Sequence, residues 1–212
     1  GGDRNGDALE IQICNPQHVA ADLSNGNVFW IDGHYVMGYN ALDNQVSVVF
    51  DGNQGHSWFA GITVLNSEIY FSELDSHVVH KLSWNGSGFD RTVVAGSNGN
   101  SGNWWIWDGN PNTDRNDPVP ALSNSLRYPS NLTADPVNNK IYMGCGGNDN
   151  GNLGDWWEYD ILTDIWTQKS NIIGNNRHHP FYFGIGDYAY VGFGHGSSPK
   201  QSQKEYVPSA PM

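Results

Sequence analysis

The chain has 212 residues, 26 of them glycine, and a formal charge of −12 from 22 Asp plus Glu against 10 Lys plus Arg, which makes it one domain's worth of acidic, turn-rich sequence (residues 1–212). So few cations form no basic stripe for phosphate, which excludes nucleic acid and anionic membranes as partners and leaves cations, neutral glycans and other proteins. No stretch approaches the roughly 20 apolar residues that span a bilayer, and no basic-then-apolar leader is present, so no membrane insertion is expected and any signal segment is taken to have been removed.

The apolar runs are short, β-branched or aromatic, and bounded by Gly, Asn, Asp or Pro, without three-and-four spacing, so the expected fold class is all-β with almost no helix. In chain order, LEIQIC (Leu9 to Cys14) reads as a lone strand. A hairpin follows in VAADLSNGNVFWID from Val19, then strands in HYVMGYNAL and NQVSVVFDG. A second hairpin, GITVLNSEIYFSEL from Gly61, leads to HVVHKLSWN and GFDRTVVAG. A third, NLTADPVNNKIYMGCGG from Asn131, leads to DWWEYDIL and DIWTQKS. The fourth is FYFGIGDYAYVGFGHG from Phe181, with one more strand near Glu205-Tyr206-Val207.

These hairpins are a repeat. Val28-Phe29-Trp30, Ile69-Tyr70-Phe71, Ile141-Tyr142-Met143 and Ala189-Tyr190-Val191 align, at spacings of 41, 72 and 48 residues. The long middle gap holds a Trp/Asn/Gly-rich insertion at about 97–121, whose 25 residues, once removed, leave a spacing of 47. A period of 40 to 50 residues with four short strands per unit is that of propeller blades. The expectation is a β-propeller of about four blades of four antiparallel strands, or a segment of a larger one. In it Leu9 to Cys14 supplies the outer edge of the final blade, closing the ring and hiding exposed sheet edges.

The carboxy-terminal half resembles kelch repeats, in YMGCGG, DWWEYD, DIWT and YAYVGFGHG, with Gly146-Gly147, Tyr159-Asp160 and Trp166 at the matching places. The last unit departs from that pattern, with Gly194-His195-Gly196 in place of the glycine pair. The amino-terminal half is similar to propellers of the YWTD and NHL type, through NVFWID, EIYFSE and RTVVAGSNG. Both resemblances imply a scaffold for protein or glycan recognition and transfer no activity.

Kelch propellers include copper oxidases of the galactose oxidase type, but no residue-by-residue match to such a site is present. His178-His179 point to opposite faces of an extended chain, as do His77 and His80. A Gly-x-Ser-x-Gly elbow, a His-Glu-x-x-His helix and a P-loop are all missing. The chain is therefore expected not to be an enzyme and to carry no cofactor, with calcium as the exception to weigh. Asp108, Asn110, Asn112 and Asp114 place oxygen ligands at alternate positions, although Thr113 stands where an EF-hand loop needs Gly and Val119 where it needs Glu. Trp104, Trp105 and Trp107 in the same insertion are candidates for partner or glycan contact, or for folding back over the blades.

Asn85-Gly86-Ser87 and Asn131-Leu132-Thr133 are N-glycosylation sequons, and Asn-Gly is also a favoured hairpin turn. Cys14 and Cys145 suit either one long-range disulfide or two buried thiols. Together these features suggest an extracellular, secreted, non-catalytic module that binds other proteins or assembles with itself. The alternatives are a glycan-binding, lectin-like propeller and, after it, a kelch-type metallo-oxidase.

Overall fold

Turn chemistry sets the strand register. In the computed structural model, residues 3–52, 58–96, 119–120, 129, 131–145, 147–148, 151–152, 154–169, 176–178, 180–185, 188–192, 194–196 and 204–208 are described. They form strands and turns with no helix, and so none long and apolar enough to cross a membrane. The first sheet holds β1 (Gly6–Asp7), β2 (Pro16–Ala21), β3 (Val28–Asp32), β4 (Tyr35–Asn40) and β5 (Gln45–Asp51) in the order β1-β5-β4-β3-β2. The second is β6 (Phe59–Leu65), β7 (Glu68–Glu73), β8 (Val78–Trp84) and β9 (Phe89–Ala95) in chain order. The third contains β10 (Val119–Pro120), β11 (Leu132–Asp135), β12 (Lys140–Gly144), β15 (Trp156–Asp160) and β16 (Ile165–Lys169), ordered β10-β16-β15-β12-β11. The fourth joins β18 (Phe181–Ile185), β19 (Tyr188–Gly192) and β21 (Lys204–Pro208). Two small ladders accompany them: β13 (Gly147–Asn148) with β14 (Gly151–Asn152), and β17 (Arg177–His178) with β20 (His195–Gly196).

Each expected hairpin is present, for local reasons. Asn66 and Ser67 both have positive φ, 53° and 60°, which a two-residue turn needs to match the twist of β6 and β7. The turns after β2 and β11 are longer and are organised by an aspartate. The Asp22 carboxylate accepts from Ser24 N, Ser24 Oγ and Asn25 Nδ2, and Asp135 accepts from Val137 N, Asn138 N and Asn138 Nδ2.

The second strand of each of the first three hairpins is buried on both faces, so it is not a half-wet alternating strand. Ile69, Tyr70, Phe71, Ser72 and Glu73 are all buried. The sheets stand face to face, with the inner strands β2, β6, β11 and β18 side by side. The aligned triplets then acquire distinct duties. Phe29, Tyr70 and Tyr142, the middle members, pack against the sheet that follows. Phe71, Met143 and Val191, the last members, pack against the sheet that precedes. Burying such side chains is the main favourable term holding neighbouring sheets together.

The first sheet has no described sheet before it, and its last triplet member, Trp30, packs with Met37 and Val46 beneath Ala8 and Ile11 of the amino-terminal segment. Here the expectation of a closing strand at Leu9 to Cys14 is overturned. That stretch is a turn followed by irregular chain: Glu10 N and Ile11 N both bond back to Asp7 O, and Leu9 points into solvent. The strand that does form, β1, pairs with β5 on the outer edge of the first sheet, not with the fourth sheet. Beyond β1, Ala8 and Ile11 are used to cover a face, which is why Leu9 to Cys14 does not pair along an edge.

Asp32 pins this cover. Its buried carboxylate accepts from Arg4 Nη1 at 2.6 Å, Asn15 N at 2.5 Å and Cys14 N at 3.1 Å, and the Arg4 guanidinium lies 4.3 Å from the centre of the Tyr35 ring. Burial alone would raise the Asp32 pKa, but the two amides and the guanidinium together outweigh it and hold the carboxyl below the usual range. The stabilisation is therefore fully present above about pH 4 and is lost as pH falls through the lower folded-state value. Thermal unfolding followed against pH is expected to show Asp32→Asn less stable than the parent at neutral pH, the gap narrowing in acid. Phe71→Ala, which empties the junction between the first two sheets, is expected to cost about 3–5 kcal/mol in urea denaturation, with Leu162→Ala within about 0.5 kcal/mol of the parent.

Candidate functional site

Because each sheet is an antiparallel meander, the turns 22–27 and 41–44, 66–67 and 85–88, and 136–139 and 161–164 all fall at one end of the molecule. Hydrogen bonds join the inner turns across sheets: Ser24 Oγ to Ser67 Oγ at 3.2 Å, and Asn66 Nδ2 donating to Asn139 Oδ1 at 2.9 Å. This hairpin end displays Leu42, Leu23, Leu162 and Val137, which are 94%, 89%, 79% and 62% exposed, together with exposed Leu9 and Trp84. The local cause is the same each time. An Asx side chain takes up the amides just after it: Asp22 from Ser24 N, Asn40 from Leu42 N, Asp135 from Val137 N, Asp160 from Leu162 N and Thr163 N. The backbone is held tightly and the aliphatic side chain has nowhere to go but outward.

The opposite end carries buried polar groups. Cys145 has a φ of 56°, its amide donates to Asp155 O at 2.8 Å, and its side chain packs with Tyr142, Trp156 and Tyr182. A Cβ on Gly144 would sit 2.3 Å from Asp155 O, so only glycine allows this crossing. The Tyr182 hydroxyl donates to Gly144 O at 2.5 Å, and burial first, then the neighbouring Cys145 and Asp155, push its pKa well above the ordinary value. In the second sheet, the buried Glu73 carboxylate contacts His80 Nε2 at 2.6 Å and accepts from Ser76 Oγ at 2.7 Å. Buried Asn131 donates through Nδ2 to Pro180 O, and its Oδ1 has no hydrogen-bond partner among the described residues. Among the described residues no group of three or more His, Cys, Asp or Glu is placed to hold a metal ion.

The residues singled out from the sequence fare unevenly. Asp108, Asn110, Asn112, Asp114, Trp104, Trp105 and Trp107 lie outside the described residues. Asn85 is exposed in the β8–β9 turn, where Oδ1 accepts from Ser87 N and Gly88 N. Asn131 is buried, with its amide nitrogen donating to Pro180 O. Cys14 is exposed and Cys145 buried, and they are not joined in a disulfide. The turn leucines were not picked out from the sequence, though their signal, an aliphatic residue just after an Asx inside a turn, is written there.

No protein-family profile matches the sequence. No curated protein matches it either. Solved structures do. A protein of unknown function from Bacteroides thetaiotaomicron superposes with a TM-score of 0.58 at 12% identity, covering 91% of this chain and 47% of that one. A Xanthomonas campestris protein described as a gluconolactonase gives 0.59 at 12%, covering 93% and 59%. A chain of a nidogen/laminin complex gives 0.49 at 13%, covering 83% and 54%. The fold is that of a β-propeller or a segment of one. The chain spans about half the length of these structures. Likeness at this identity shows the scaffold alone, and it does not support the kelch reading of the carboxy-terminal half. It also corrects the expectation that the chain is not an enzyme: a protein described as a gluconolactonase shares this scaffold, so neither the propeller nor the lack of familiar motifs excludes catalysis.

The thiol geometry is directly testable. Native protein without reductant is expected to take up one equivalent of a thiol reagent, at Cys14, and a second at Cys145 only in denaturant, as read by intact mass. No labelling before reduction would mean the two are bonded.

Proposed function

We propose that this chain is a protein-binding propeller of an extracellular protein, an assembly module whose partner docks on the hairpin end. One observation carries the reading. Exposed apolar residues are ordinarily scattered singly, whereas six of the eleven large ones exposed among the described residues are gathered at one end: Leu9, Leu23, Leu42, Val137 and Leu162 on turns held by side-chain hydrogen bonds, and Trp84 at the close of β8. A rigid display loses little conformational entropy when a partner arrives, which favours binding. The variant Leu23→Ser/Leu42→Ser/Leu162→Ser is expected to unfold within about 1.5 kcal/mol of the parent, since each site is solvent-facing. Co-purification and cross-linking of the parent with a stoichiometric protein partner, weakened at least tenfold in that variant, is the expected result. A parent protein with no such partner would end the reading.

The extracellular setting has a separate test. Expression in a secreting eukaryotic cell is expected to add a glycan mass that Asn85→Gln abolishes and Asn131→Gln leaves in place. Secretion without any glycan would remove the sequon's support.

A second reading is hydrolysis of a lactone. It is favoured by the gluconolactonase among the similar structures and by the buried Asn131 Oδ1 at the loop end, which has no hydrogen-bond partner among the described residues. Assay with gluconolactone, with and without added divalent cations, decides it; no turnover above the uncatalysed rate ends it.

A further inference from the structure

The electrostatics of the hairpin end carry the protein-binding reading one step further, to the partner's chemistry. The end is made of the segments 7–10, 22–27, 40–45, 66–68, 84–90, 135–140 and 160–164, and every one of them contributes at least one carboxylate. Lys140 is the one cation in these segments, and it is already bonded to Asp160. Glu10, Asp43, Asp90 and Asp164 are exposed beside or between the aliphatic side chains. Asp22 and Asp160 stay ionised: burial works against them, but the hydrogen bonds of their turns, and for Asp160 the Lys140 ammonium, hold both carboxyls below the usual range.

We infer that the hairpin end docks a cationic polypeptide segment in which Lys or Arg alternates with aliphatic residues. The aliphatic side chains cover Leu23, Leu42 and Leu162, while the cations meet the carboxylates between them. Three competitors are disfavoured on the same ground. An acidic protein, an anionic membrane and a second copy presenting this same end would each set like charge against like over a partly desolvated surface. The charges speed encounter and select the partner, and the aliphatic contacts slow its departure. The inference rests on the protein-binding reading of this end.

Three synthetic peptides of equal length separate the two contributions: alternating Lys-Leu, alternating Glu-Leu and alternating Lys-Ser. Hydrogen exchange and amide chemical shifts of the intact chain report where each one binds. The Lys-Leu peptide is expected to bind saturably, with its footprint on turns 22–27, 41–44, 136–139 and 161–164. It should bind at least tenfold more tightly than either control, more weakly as salt rises, and at least tenfold more weakly to Leu23→Ser/Leu42→Ser/Leu162→Ser. Equal binding of the Glu-Leu peptide, a footprint at the loop end, or indifference to the triple substitution would overturn the inference. The two levels remain distinguishable. If a stoichiometric protein partner is lost in the triple variant yet the Lys-Leu peptide does not bind, the cationic partner is wrong while the docking end stands. If no protein partner binds the parent at all, both fall.

Discussion

Everything in this fold follows from the second strand of the first three hairpins being packed on both faces. Phe29, Tyr70 and Tyr142 need a sheet after them, and Phe71, Met143 and Val191 need a sheet before them. A single sheet bearing such a strand would leave a large aromatic side chain in water on one face or the other, at a cost of about 1.5–3 kcal/mol per side chain. Stacking resolves this at every internal junction. At the first sheet it is resolved by a different device, the amino-terminal segment laid over Trp30 and Met37 and fastened through Asp32. The last sheet presents Phe181, Phe183 and Tyr190, whose rings stack with centroids 5.6 and 4.9 Å apart in sequence along the ladder.

Packing of this kind covers the facing sides of neighbouring sheets and leaves their ends uncovered by other sheets. The two ends are physically unlike. At the hairpin end the chain reverses in short turns whose amides are taken up by Asp22, Asn40, Asp135 and Asp160, so the surface is stiff and its aliphatic residues are fixed in place. At the loop end the backbone is strained at Cys145, and groups with chemical capacity, among them Glu73, His80, Asn131 and Tyr182, are drawn into the packed interior. The first arrangement suits a docking surface, and the second is where buried polar chemistry collects.

Much of the fold was legible because its determinants are local. Turn pairs such as Asn66-Ser67, the Asp-initiated turns at Asp22 and Asp135, and the repeated aromatic triplet each act within a few residues, so a linear reading finds them. The segment Leu9 to Cys14 misled for a physical reason. An alternating apolar string describes a strand and a strap over an apolar face equally well, and only the presence of Trp30 and Met37 beneath it decides between them. Asn131 shows the same limit of a linear reading: a sequon records which residues are present, whereas burial against Pro180 is a property of two distant sheets meeting. The leucines of the hairpin end were visible as turn residues but gained meaning only when the meander brought turns from three sheets to one surface.

By itself, then, the sequence determined the all-β class, the number and place of the hairpins, and the repeat, since these rest on turn dihedrals and on spacing between neighbours along the chain. The tertiary structure decided which face each aromatic residue serves, where the amino-terminal segment lies, which sequon is exposed, that the two cysteines stay apart, and that the turn leucines share a surface with exposed carboxylates. Those outcomes depend on contacts between residues far apart in the chain, whose energy exists only once the sheets are stacked.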